Sequence, residues 1–210
     1  MAETYRFALV GNPNVGKSSL FNALTGLHQH TGNWPGKTVA TAAGTCSIDG
    51  AAVELIDLPG TYSLSARSPE EEVAAEYISF GCADAVIVVC DATALERNLY
   101  LALQVMEITD HVVICVNLMD EAEKRGITVD LPRLSQMLGV RVVGTSARQK
   151  KTLPPLLRAA VAAAQERHRK PVPVRYGEAI EAGLFSIEAR LDELLPGSMP
   201  NHRWIAMQLL

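Results

Sequence analysis

The chain has 210 residues, of which 48% are hydrophobic and 20% charged, with 15 glycines and 11 prolines; this composition fits one globular domain plus an appendage and excludes disorder, collagen and coiled coil as descriptions of the whole. Its 19 basic and 23 acidic residues leave a net charge of −4, so no global basic field is available to hold a nucleic-acid backbone. The first residues lack the basic, apolar and small-residue parts of a secretory signal, no apolar run reaches the ~18 residues of a membrane span, and Cys46, Cys82, Cys90 and Cys115 form no Cys-x-x-Cys pair and read as buried free thiols.

In chain order, β-branched runs alternate with amphipathic stretches, the pattern of strands joined by crossover helices over a mostly parallel sheet. Strands are predicted at Arg6–Val10, Gly44–Ile48, Val53–Asp57, Ala85–Cys90, Val112–Asn117 and Arg141–Val143, the second and third joined by the hairpin turn Asp49-Gly50. Helices are predicted at Lys17–Leu24, Glu70–Phe80, Glu96–Thr109, Leu131–Leu138 and Leu153–Arg167. Residues 27–39 are expected to form a loop. Two prolines in His168-Arg-Lys-Pro-Val-Pro-Val174 mark a boundary between a first domain, 1–170, and an appendage, 171–210. In the appendage Leu184, Ile187, Leu191, Leu194 and Leu195 mark one helix, Pro196-Gly197 breaks it, and Asn201 caps another that runs into Leu210. This pair is too small to fold alone and must pack on the first domain or on further helices. Its mid-pattern end at Leu210 suggests a truncated helical unit.

Chemistry enters at Gly11-Asn12-Pro13-Asn14-Val15-Gly16-Lys17-Ser18, followed by Ser19, which fits G-x-x-x-x-G-K-[ST] between a strand and a helix. Glycine lets successive N–H groups and the helix N-terminus face phosphates. Lys17 is placed to neutralise β and γ oxygens and Ser18 to hold Mg²⁺. Asn117-Leu118-Met119-Asp120 ends an apolar strand; Asp120 can accept from guanine N1–H and its 2-amino group, donors that adenine lacks there, and Asn117 can tie the base to the phosphate loop. Thr145-Ser146-Ala147 follows the next strand, where the Ala147 N–H would meet guanine O6. Asp57-Leu58-Pro59-Gly60 ends another strand, with Asp57 expected on Mg²⁺ through water and the Gly60 N–H sensing a γ-phosphate. In the 27–39 loop Thr31 and Thr38 offer hydroxyls for Mg²⁺, and Thr38 is favoured because Pro35-Gly36, just before Lys37, gives a pivot. Together these motifs describe a switch that binds GTP and hydrolyses it to GDP.

The segments Asn33-Trp-Pro-Gly-Lys-Thr-Val39, Asp57-Leu-Pro-Gly-Thr-Tyr-Ser-Leu64, Leu95-Glu-Arg-Asn-Leu-Tyr-Leu101 and Asn117-Leu-Met-Asp-Glu-Ala122 resemble the cytoplasmic N-terminal GTPase domain of the FeoB ferrous iron transporters, over essentially the whole chain. The resemblance implies an α/β fold of the P-loop NTPase, Ras-like class, a mostly parallel sheet flanked by helices with a C-terminal helical appendage. It further implies a helical domain that stabilises the GDP-bound state, a membrane permease later in the native chain, and a place on the cytoplasmic face of the bacterial inner membrane. A small cytosolic accessory protein and an oligomer are compatible with it. Carried over by residue, Thr38 matches the switch threonine on Mg²⁺, Asp57 to Gly60 the second switch, and Asn14 an asparagine that coordinates K⁺ beside the phosphates. Asn14, Lys17, Thr38 and Gly60 are thus the expected catalytic groups. Thr61 stands where many small GTPases carry a water-orienting glutamine, which implies slow intrinsic turnover.

Arg67 and Arg97 are more simply solvated arginines than fingers, His28 and His30 a solvated loop pair, and Glu70-Glu-Glu72 a helix-dipole effect rather than an iron site. Two other classes compete. A soluble K⁺-dependent GTPase of ribosome assembly or tRNA modification should carry a basic appendage, whereas this one has Glu178, Glu181, Glu188, Asp192 and Glu193 against Arg175, Arg190 and Arg203. A scaffold without turnover is disfavoured because Lys17, Ser18, Thr38 and Asp57 are all present.

Overall fold

The computed structural model describes residues 3–26, 29–34, 39–80, 83–166, 170–194 and 201–210. Its strands are β1 (Thr4–Gly11), β2 (Gln29–Asn33), β3 (Ala40–Ile48), β4 (Ala51–Asp57), β5 (Ala85–Asp91), β6 (Val112–Asn117) and β7 (Arg141–Gly144). The helices are α1 (Lys17–Thr25), α2 (Pro69–Phe80), α3 (Leu95–Ile108), α4 (Met119–Lys124), α5 (Leu131–Leu138), α6 (Leu153–Gln165), α7 (Glu178–Leu194) and α8 (His202–Leu209). The sheet order is β2-β3-β4-β1-β5-β6-β7. Strand β1 lies parallel between β4 and β5, β5 to β7 continue in parallel, and β2 and β3 run antiparallel at one edge.

The alternation of β1 shows why the sheet is covered on both faces. Phe7 and Leu9 point to one side, packing with Leu20 and Phe21 of α1 and Leu156 and Ala160 of α6. Ala8 and Val10 point to the other, toward Ala74 and Ile78 of α2 and Leu101 and Val105 of α3. At the hairpin Asp49 and Gly50 both have positive φ, 50° and 86°, the geometry of a turn whose twist matches its strands. Cys90 and Cys115 are fully buried and Cys46 half-buried. Burial pushes the Cys115 thiol up to about 12 and that of Cys46 to about 11. Cys82 lies outside the described residues.

Three expectations need correction. The segment expected as a loop over 27–39 contains β2, which pairs with β3 from Gln29↔Gly44 to Asn33↔Ala40; the sparse apolar pattern of Gln-His-Thr-Gly-Asn hides a strand held by its neighbour's backbone. A short helix, α4, follows Leu118 without a long periodic signal of its own. The helix expected to run to Arg167 ends at Gln165. No helix among the described residues is long and apolar enough to cross a membrane.

The appended helices have a small core of Leu184, Leu191 and Ala206. Asn201 caps α8 as expected, accepting from the Arg203 N–H at 3.1 Å. Trp204 leaves this core and packs into the cluster of α2 and α3. Polar groups complete the junction: Tyr176 donates its hydroxyl to Glu107 Oε1 at 2.9 Å, and Asn201 Nδ2 donates to the Glu107 carbonyl at 2.6 Å. Arg203 binds Glu181 at 2.7 Å and the Val174 carbonyl at 2.9 Å. Burial raises the Glu107 carboxyl despite the Tyr176 hydrogen bond. Burial, and then the bond to Glu107, pushes Tyr176 up to about 12.

Candidate functional site

The site gathers where the parallel strands end, the usual ligand edge of an open α/β sheet. Leaving β1, the chain turns through Asn14 at φ 67° and Gly16 at φ 78° before α1 begins. Gly11 is required by contact, and Gly16 by contact as well as by conformation: a Cβ on Gly11 would stand 2.6 Å from the Val89 carbonyl oxygen, and one on Gly16 2.7 Å from Asn117 Nδ2. Both distances are shorter than real Cβ contacts, so the loop can sit this low only with glycine.

Asn117 is completely buried and holds two motifs together. Its Nδ2 donates to the Val15 carbonyl at 3.0 Å, while its Oδ1 accepts from the Thr145 hydroxyl at 3.1 Å. Thr145 Oγ1 also lies 3.1 Å from Cys115 Sγ, and its carbonyl accepts from the Met119 N–H at 3.1 Å. The Asp120 N–H donates to Ser146 Oγ at 3.1 Å. Leu118, at φ 61°, turns the chain between strand and α4 and so sets Asp120 at the rim. A cleft of about 490 Å³ opens here, lined by Gly16, Ser19, Asn117, Leu118, Asp120 and Ala147, with Glu121, Arg125 and Arg148 around them. Arg125 and Arg148 carried no motif signal in the sequence, and folding brings them to the rim, whereas Glu121 adjoins Asp120 in the chain.

On the other side of the loop, Lys17 and Asp57 meet. The Lys17 Nζ donates to Asp57 Oδ1 and to the Leu58 carbonyl, the latter at 2.5 Å. Burial raises the Asp57 carboxyl, and the Lys17 ammonium opposes that rise without cancelling it. Pro59 follows, and Gly60 lies beside Pro13, where a Cβ would make an ordinary contact at 3.5 Å. The Thr61 N–H donates to the Gly11 carbonyl at 3.2 Å, and its buried hydroxyl donates to the Ser63 carbonyl at 2.7 Å. Thr61 therefore shapes the loop that follows Gly60. Ser18 and Asn14 are exposed at the loop's crown. The side chain of Asn12, by contrast, lines a different cleft beside Tyr62 and Arg97.

The candidate residues thus converge from four strand ends, those of β1, β4, β6 and β7, except Gly36, Lys37 and Thr38, which with Pro35 and His28 lie outside the described residues. Thr31 is placed in β2. No group of three or more His, Cys, Asp or Glu able to hold a metal ion occurs among the described residues.

Comparison with known proteins agrees with this geometry. The family described as ferrous iron transport protein B matches residues 5–160. The chain is 43% identical over 210 residues to the Fe(2+) transport protein A/Fe(2+) transporter FeoB fusion protein of Porphyromonas gingivalis, covering 98% of this chain and 25% of that protein. It is 38% identical over 208 residues to the Fe(2+) transporter FeoB of Escherichia coli K12, covering 96% and 26%. The chain therefore spans about a quarter of the curated relatives it matches. Among solved structures, the cytosolic domain of the T. maritima FeoB iron transporter in its GMPPNP form superposes with a TM-score of 0.92 at 39% identity, covering 98% of this chain and 81% of that one. Its GDP form I gives 0.93 at 38% identity, covering 100% and 81%. With a P-loop GTPase fold of one mixed, mostly parallel sheet, the chain belongs to the ferrous iron transport protein B family, as its N-terminal G domain.

Proposed function

We propose that this chain binds GTP, hydrolyses it to GDP and phosphate, and serves as the regulatory switch of a bacterial Fe²⁺ transporter whose permease domain belongs to the same native chain, at the cytoplasmic face of the inner membrane. The observation that carries the reading is Asn117, which joins the phosphate loop at Val15 to the base-reading segments at Thr145 and Asp120. GDP- and GMPPNP-bound forms of the T. maritima domain support it. Nucleic acid is not expected as a partner; a small accessory protein and self-association are compatible with the reading.

The residues divide the work. Backbone N–H groups from Gly11 to Ser19 would wrap the phosphates, with Lys17 as their counter-charge. That requires Lys17 to exchange its present carboxylate and carbonyl partners for phosphate oxygens. Asp57, Leu58, Pro59 and Gly60 would then be free to close on the nucleotide's end, together with Gly36, Lys37 and Thr38. Ser18, Thr38 and Asp57 are suited to Mg²⁺ by their hydroxyl and carboxylate oxygens, and Asn14 to K⁺ by its exposed amide oxygen beside the loop. When bound, the two cations would supply positive charge where the transition state accumulates negative charge. At the base, Asp120 would accept from guanine and Ala147 donate to it, while Ser146 holds the Asp120 backbone.

Replacing Asp120 by Asn should weaken GTP binding by tenfold or more while leaving xanthosine triphosphate, which accepts where guanine donates, bound; unchanged GTP affinity would mean that Asp120 does not read the base. For the cation, hydrolysis should be slower in Na⁺ than in K⁺, and Asn14→Ala should abolish the difference. Equal rates of the unaltered chain in both salts would remove K⁺ from the mechanism.

A further inference from the structure

A second cleft, of about 440 Å³, lies behind the phosphate loop and shares no lining residue with the base cleft: its walls are Asn12, Tyr62, Ser63, Ser65, Arg67, Arg97 and Tyr100. At its floor Asn12 is 2% exposed, and its Oδ1 is buried without a hydrogen-bond partner among the described residues. A buried amide oxygen left unpaired is costly and rare in a folded protein. It marks a place where a donor is missing.

The walls say what kind of molecule carries that donor. Arg67 and Arg97 are exposed, and neither guanidinium is ion-paired among the described residues. Among the described residues no carboxylate lines the cleft. Arg97 stands over the Tyr62 ring at 5.9 Å, which holds its charge at the rim. The loop is fixed from behind: Glu71 accepts from the Ser63 hydroxyl at 2.9 Å and from the Arg67 N–H at 3.0 Å, and Gln104 Oε1 accepts from the Leu64 N–H at 2.8 Å. Ala66, at φ 53°, makes the kink that sends the Arg67 side chain outward. Two rings half exposed to water, Tyr62 at 52% and Tyr100 at 59%, flank the arginines. Tyr and Arg around a buried polar floor are the residue types that dominate protein contacts.

We propose that this cleft docks an acidic segment of a partner protein, whose carboxylate lies between Arg67 and Arg97 and whose backbone N–H is received by Asn12 Oδ1. The charge complementarity is local, because the chain as a whole is acidic at −4 and the cleft is not. A small anion would satisfy the arginines but brings no N–H to the floor. Because the wall from Tyr62 to Arg67 begins two residues after Gly60, a docked segment would hold the second switch loop.

The test uses the 210-residue chain and a short acetylated Glu-Gly-Asp-Gly-Glu amide, with its Gln-Gly-Asn-Gly-Gln twin and inorganic phosphate as comparisons, followed by NMR at physiological salt. The acidic peptide should shift the amides of residues 61–67 and the Asn12 side-chain amide, and the neutral twin should not. Arg67→Gln with Arg97→Gln should weaken binding at least about tenfold. Both side chains are exposed, so the fold should tolerate the change; Arg67→Glu with Arg97→Glu should exchange the preference for a Lys-Gly-Lys peptide. The proposal is overturned if the neutral twin binds equally, if the double variant keeps its affinity, if the shifts centre on Arg125 and Arg148 instead, or if phosphate alone reproduces them, which would make this a small-anion site.

Discussion

The sheet body and the two appended helices are held together by different means. The body buries both faces of its sheet in two apolar clusters, whereas the helices share a core of Leu184, Leu191 and Ala206 and keep Phe185 and Leu194 exposed at 75% and 68%. What joins them to the body is Trp204 and a set of polar bonds at Glu107, Tyr176, Asn201 and Arg203. Apolar burial is non-directional and strong, while a hydrogen bond nets only ~0.5–1.5 kcal/mol but fixes geometry. The body is therefore built to persist and the junction to take one definite orientation.

A matched pair of truncations would break this comparison most sharply. Leu156 and Leu184 are both fully buried, and either change to alanine removes ~2–5 kcal/mol at its site. Leu156→Ala should lower the melting temperature of the whole chain, while Leu184→Ala should speed hydrogen exchange in α7 and α8 and leave β1, β5 and β6 protected. Uniform loss of protection in both variants would show that body and helices unfold as one unit.

A smaller effect belongs to the junction's pH dependence. Tyr176 is raised from 10.0 to about 12, so the fold favours its neutral form. Its contribution is fully present below pH 10 and is lost as pH rises through about 12. Between those values α7 and α8 should loosen, seen as faster exchange or a change in Trp204 emission, and Tyr176→Phe should flatten the change. An unaltered slope in the phenylalanine chain would assign it to another group.

Much of the fold was legible because its signals are local. The β-branched runs, the Asp49-Gly50 turn and the phosphate loop each announce themselves within a few residues, and the folded chain adds only flanking residues to most predicted strands. Strand β2 was not legible, because His30 to Asn33 are all exposed and leave no buried face as a pattern, and the strand owes its conformation to β3. Helix α4 is too short for periodicity and begins inside the Asn117-to-Asp120 motif, whose spacing carries chemistry and no helical signal. In the site, Asn117 and Asp120 could be named from sequence because their chemistry is tied to a fixed spacing. The path from Cys115 through Thr145 to Asn117 could not, since it crosses from β6 to the end of β7. Nor could the turn of Asn12 away from the loop's crown, which depends on where the chain after Gly60 is laid.

The chain has two tryptophans, and the fold has put them in separate places. Trp34 meets Tyr77 of α2 edge to face at 5.4 Å between ring centroids, so it joins the segment after β2 to the helix that follows the Asp57-to-Arg67 loop. Trp204 is sealed where α8 meets the body. With Trp204→Phe, the remaining emission reports the first contact; with Trp34→Phe, it reports the second. Recorded side by side during nucleotide exchange, the two traces would give the order in which the switch moves and the helices respond, as an optical clock already built into the molecule.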